Sequence, residues 1–288
     1  MIADFLASWA LFHNTYLAGV LIAAMLAIIG VVVVARDQIF IGAAISQASI
    51  VGITIGMWFG QWSGLAVGGW YESDPLVSIF GGLSAALGAL ITASPGGPAP
   101  ASREAVTGWV FLFGMSFSVL LVAHSPHGLE EVHRLATSTL IGARDADVLI
   151  FAIGVALVVA GFARWHREIV LVVMDPEMAR AVGLSVRWWD RTLYVALGFA
   201  VAFSLRVSGM VYTFGYLVLP ALVARSVCRE IRTTLVVAPL VAVGTALVAF
   251  AIANFYDLPP AHVAVGALAI AAATAGALHR LLGQSLSR

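Results

Sequence analysis

Long apolar runs alternate with short polar breaks along the whole chain. The runs lie at roughly 15–35, 41–60, 76–94, 105–123, 147–163, 192–208, 209–224, 233–253 and 261–278. Most approach the ~20 residues that an α-helix needs to cross a bilayer. The pattern predicts an all-α, polytopic membrane helix bundle of about eight to nine transmembrane helices, in a single transmembrane domain covering 1–288. Residues 1–12 read as a separate short helix on the membrane surface, with Trp9 and Phe12 at the interface. The stretch 192–224 reads as one full crossing followed by a broken or re-entrant helix, because Gly209 and Pro220 are residue types that interrupt helices.

Charge then orients the bundle. All 15 basic residues are arginine. Twelve of them (Arg36, Arg103, Arg164, Arg167, Arg180, Arg187, Arg191, Arg225, Arg229, Arg232, Arg280 and Arg288) fall in breaks or ends on one side, and only Arg134, Arg144 and Arg206 fall elsewhere. Short loops rich in arginine stay in the cytoplasm, so the first side is inside, the N-terminus is outside and the C-terminus is inside. That arrangement requires an odd number of crossings. Arg206, near the outer end of its run, is expected to snorkel to the interface.

Composition narrows the chemistry. With 61% hydrophobic and 10% charged residues and no net charge, nothing points to nucleic acid. The absence of lysine excludes a P-loop or a Schiff base within this chain. The single cysteine, Cys228, excludes an internal disulfide and a cysteine-based metal cluster. The first residues lack a basic n-region, so a cleaved signal peptide is not expected. A membrane-embedded enzyme such as an intramembrane hydrolase would need a Ser/His pair, an acidic pair inside the bundle or an HExxH sequence, and no HExxH occurs.

The longest inner connection, 164–191, carries a short helix with its own start and stop signals. Asp175 suits a cap, Pro176 the first helical position, Glu177 the positive end of the dipole, and Gly183 the termination. Such a helix, parallel to the membrane on the inner side, is a handle for a partner protein; the plain alternative is a linker. In the second run, Gly42, Ala43, Ala44, Ser46, Ala48, Ser49, Gly52 and Gly56 form a small-residue packing face. Asp145 and Asp147 read as dipole-complementing acids at a helix start.

Three stretches carry a resemblance. The sequence DPEMARAVGL (175–184), the run from Gly209 to Arg225 (GMVYTFGYLVLPALVAR) and the ending Tyr256-Asp257-Leu258-Pro259-Pro260 resemble the permeases of the ABC-3 family. The stretch Gly30 to Arg36 and the residues Gly42, Ser46, Ala48, Gly52 and Gly56 follow in the family's order. The resemblance implies the membrane subunit of a bacterial importer for zinc, manganese or iron, placed in the inner membrane and working by ATP-driven alternating access. It implies cytoplasmic ATPase subunits as separate chains, an extracytoplasmic metal-binding protein, and a second permease copy, identical or paralogous. It implies no catalysis and no bound cofactor in this chain, the metal being cargo. Asp175, Glu177, Arg180, Ala181 and Gly183 become the ATPase-coupling residues, and Ser46, Gln47 and Pro220 line the translocation path.

One departure bears on the cargo. Family members commonly carry Asp and His one turn apart in the second helix, a pair suited to a divalent cation. Here those positions are Ala43 and Gln47. The metal ligands therefore remain open, with His124, His127, Glu131 and His133 of the outer segment as candidates. A metal chelate or other non-metal cargo is the alternative within transport, and a membrane scaffold is the alternative outside it.

Overall fold

The computed structural model describes residues 2–62, 75–93, 101–123, 142–228 and 230–285, with Glu130, Val132, His133, Leu135 and Leu140 between them. Among the described residues the regular structure is helical: α1 Ile2–Ala35, α2 Ile41–Trp62, α3 Pro75–Ala93, α4 Ala101–Val122, α5 Asp145–Met174, α6 Pro176–Ala181, α7 Val186–Val227, α8 Ile231–Tyr256 and α9 Pro260–Ser285. Seven of these are long and apolar enough to cross a membrane, and α3 adds a shorter apolar stretch over Val77–Ala93.

Three boundaries differ from the expected ones. The surface helix at 1–12 is not separate, since α1 runs unbroken from Ile2 to Ala35. Its polar positions are absorbed by tertiary structure: Asn14 Nδ2 donates to Asp145 Oδ1 at 2.8 Å, and Thr15 is buried. Helix α5 does not stop before Arg164 but continues to Met174, with a kink at Trp165 (φ −121°, ψ 24°). Beyond the kink Ile169, Val172 and Val173 are buried, which holds the extension in place.

The third difference concerns α7. Its 42 residues would span about 60 Å as one straight helix, twice the hydrocarbon thickness of a bilayer. The backbone leaves the helical region at Gly209 (φ 73°, ψ 174°), a conformation essentially reserved for glycine. Pro220, expected as a second breaker, lies buried inside a continuing helix. Arginines lie near both ends of α7, Arg187 and Arg191 at one and Arg225 at the other. Gly209 divides this element into a first pass, 186–208, and a second pass, 210–227.

The chain divides into two compact units, 1–39 with 139–175 and 211–288, and 40–138 with 176–210. In the first, α1 packs against the second pass of α7 so closely that a Cβ on Gly30 would overlap the Leu217 carbonyl. The Tyr212 hydroxyl donates to the Gly19 carbonyl at 3.0 Å. Helix α8 turns a buried seam of Ala238, Ala242, Ala246, Ala249 and Ala253 inward, small residues that let backbones approach. Phe250 of the same helix packs on Tyr16 and Tyr212, with ring centroids 5.6 and 6.5 Å away.

In the second unit, α2 and α3 run antiparallel, with Gly52 against the Phe80 carbonyl and Gly56 against Val77. The small-residue face of α2 is thus a packing face. Gly114 brings α4 onto the backbone of Gln47, and Gly198 brings the first pass of α7 onto Ala86. Ile50, Ile53, Leu135 and Leu205 form the buried centre. Arg206 donates to Ser78 Oγ, so its guanidinium has a partner on α3 as well as its place near the outer end.

Candidate coupling helix and pathway residues

Helix α6 is six residues long and closes on itself through backbone bonds. The Leu184 N–H donates to the Ala179 carbonyl at 2.9 Å and the Gly183 N–H to the Arg180 carbonyl at 3.0 Å, while Gly183 sits at φ 86°. This pair of bonds with a left-handed residue is the Schellman ending, in which glycine avoids the cost of a Cβ. Pro176 occupies the first helical position and Glu177 the first turn, as the sequence signals predicted. Asp175 terminates α5, its N–H donating to the Leu171 carbonyl at 2.9 Å, and immediately precedes Pro176.

Ala179 is the residue of α6 that is buried, at 0% exposure. Asp175, Glu177, Arg180, Ala181 and Gly183 are all exposed, and so are Met178 and Val182. The segment therefore has an anchored backbone and an outward surface mixing charge with large apolar side chains. Sequence reasoning missed Met178 and Val182, whose signal would have been their spacing of one turn around Ala179.

The expected pathway residues are interior. Ser46 is fully buried and spends its hydroxyl on the Gly42 carbonyl at 2.8 Å. Ala43 and Gln47 are buried on α2, and Gln47 Nε2 donates to the Met210 sulfur at 3.3 Å. This neutral amide–thioether contact ties α2 to the residue that follows Gly209. Pro220 is buried in the second pass of α7.

The outer candidates fare differently. His124, His127 and Glu131 lie outside the described residues. His133 is exposed. Among the described residues no group of three or more His, Cys, Asp or Glu side chains is placed to hold a metal. Asp147 accepts from the Arg144 backbone N–H at 2.9 Å, which makes it part of the start of α5.

At the inner end of the first unit, Val31, Val34, Ala221, Arg225, Cys228 and Glu230 line part of a cavity of about 140 Å³. Arg225 Nη1 reaches past it to the Val34 carbonyl at 3.0 Å and to Asp37 Oδ1 at 2.9 Å.

The family model for the ABC 3 transport family matches residues 8–278. The chain belongs to that family. This permease is 25% identical over 232 residues to the chelated iron transport system membrane protein YfeD of Yersinia pestis, covering 80% of this chain and 73% of that one. It is 21% identical over 253 residues to the manganese transport system membrane protein MntC of Listeria monocytogenes, covering 88% and 85%. Among solved structures, PsaBC from Streptococcus pneumoniae in complex with Fab superposes with a TM-score of 0.78 at 16% identity, over 97% of this permease and 95% of that chain. That likeness extends the fold agreement across nearly all the helices described above. The permease is a multi-pass membrane protein of a transport family.

Proposed function

We propose that this permease is the membrane subunit of a bacterial importer that carries a divalent metal ion, iron or manganese in the first place and zinc as a further member of the class, across the cytoplasmic membrane. The observation that carries the reading is the family match over 8–278, joined to relatives named for iron and manganese transport. ATP is hydrolysed by a separate subunit, which docks on α6 through Asp175, Glu177, Arg180, Ala181 and Gly183. The lack of any lysine for a P-loop supports that division of labour. A binding protein delivers cargo from outside, and a second permease copy completes the path. ATP-driven movement of α6 switches access between the two sides of the membrane.

The test is uptake. Cells expressing the permease with its ATPase and binding protein are assayed for iron, manganese and zinc at limiting supply. Selective, ATP-dependent gain of one metal supports the reading; an assembled complex that accumulates none overturns it.

A second reading is favoured by one contact. The Gln47 amide, donating to the Met210 sulfur, leaves a neutral interior where family members place Asp and His. A metal held inside a chelate needs no charged ligands from the path. Uptake of the chelate without uptake of the free ion separates the two.

A further inference from the structure

Helix α5 is the least enclosed of the membrane-spanning helices. Only 6% of its apolar window is buried within the chain. The residues it turns outward are large and aliphatic: Leu149, Ile150, Ile153, Leu157 and Val159, each more than 40% exposed. Helix faces that meet other membrane helices favour small residues, so a face of this kind is built to meet lipid tails.

The apolar span from Asp145 to Ala163 covers about 28 Å at 1.5 Å per residue, close to the ~30 Å hydrocarbon core. Immediately beyond it the backbone kinks at Trp165, and Arg164, Trp165 and Arg167 are all exposed. The Arg164 guanidinium lies over the Trp165 ring at 5.9 Å from its centroid. An aromatic ring is at home at the boundary between acyl chains and headgroups, and it fixes the depth of the cation stacked on it. His166, between them, is half-buried. Glu168 is the nearest carboxylate in sequence, yet among the described residues neither it nor either arginine forms an ion pair. Two guanidinium groups with no ion-pair partner among the described residues thus follow an apolar stretch of bilayer length, at the end of the helix whose face suits lipid.

We propose that Arg164, Trp165 and Arg167 form a binding site for the headgroup of an anionic phospholipid of the inner leaflet. The guanidinium groups bond the phosphate, Arg in its forked geometry, and Trp165 packs at the glycerol level. The site owes nothing to the identity of the cargo. It lies on the helix that leads through Asp175 into α6, so bound lipid anchors the lead-in to the coupling segment at a set depth.

The experiment counts lipids retained by the purified full-length permease, using native mass spectrometry during titration with phosphatidylglycerol or phosphatidylcholine. The expected result is preferential retention of phosphatidylglycerol. It should weaken about 30-fold in the Arg164→Gln/Arg167→Gln double variant, the effect of two arginines near a charged surface. Lysine at both positions should keep most of the binding, and each single glutamine variant should lose part of it. Size-exclusion elution checks that the variants are folded, and the single variants serve if the double one is not. Equal retention of the two lipids by the unmodified permease would overturn the proposal. So would undiminished phosphatidylglycerol binding in the glutamine variants, or displacement of the lipid by an equal concentration of inorganic phosphate. Loss of ATPase co-purification with lipid retention unchanged would reassign the arginines to the partner protein.

Discussion

One guanidinium nitrogen of Arg225 donates both to the Asp37 carboxylate, at 2.9 Å, and to the Val34 carbonyl, at 3.0 Å. Asp37 sits at φ 54° just past the end of α1, where glycine is the usual occupant. The arginine thus closes the end of one helix from another 188 residues away. Both side chains are largely exposed, so the charge pair itself is worth no more than about 1 kcal/mol. The backbone contact is the larger part. Arg225→Ala is expected to lower the thermal midpoint of the detergent-solubilised permease. Asp37→Gly should change it little, because relief of the left-handed backbone offsets the lost pair. Equal losses from both would show that the ion pair dominates.

Gly209 and Gly30 are constrained for different reasons, and substitutions should reveal that. At Gly209 the obstacle is the backbone conformation, so even Gly209→Ala should cost roughly 1–3 kcal/mol. At Gly30 the obstacle is the Leu217 carbonyl, which cannot retreat as a flexible side chain would. Gly30→Ala should therefore reduce the yield of folded permease. Gly244→Ala is the control: it is helical, with open space where the Cβ would go, and should stabilise by up to about 1 kcal/mol. Unfolding midpoints of the three variants check the order.

At the coupling segment, Gly183→Val should unmake the ending of α6 while leaving membrane insertion intact. Arg180→Ala should remove a surface charge and leave the helix. Both are expected to reduce co-purification of the ATPase, the glycine variant more. Unchanged co-purification in both would remove α6 from the interface.

Ala43→Asp combined with Gln47→His introduces on α2 the Asp and His pair that the family resemblance implies is common in the second helix. Both positions are buried, so the new carboxylate is costly unless a cation meets it. The double variant is expected to gain affinity for manganese or zinc, measured by metal content after dialysis. No gain would show that α2 at this level does not face the cargo.

The helices were legible because membrane-length apolar runs leave few alternatives. The misreadings came from polar residues whose partners are distant in sequence. Residues 1–12 read as a separate surface helix, yet just beyond them Asn14 pairs with Asp145 and Thr15 is buried. Arg164 and Arg167 looked like a loop, because arginine at a helix surface and arginine in a loop have the same sequence signal. Gly209 read correctly as a breaker and Pro220 did not, since within a membrane helix proline's missing N–H can be accommodated. Helix α6 was readable for the opposite reason: its Pro176 and Gly183 act within a few residues of themselves. The Gln47–Met210 and Arg225–Asp37 contacts join positions 163 and 188 residues apart, and no local pattern announces them.

The way α6 ends has a consequence for its history. The turn is closed by main-chain atoms, one glycine and the buried Ala179. The exposed side chains contribute little to keeping the helix wound, so substitutions there alter what the surface recognises without dissolving the surface. A segment built like this keeps its shape while its outward surface changes.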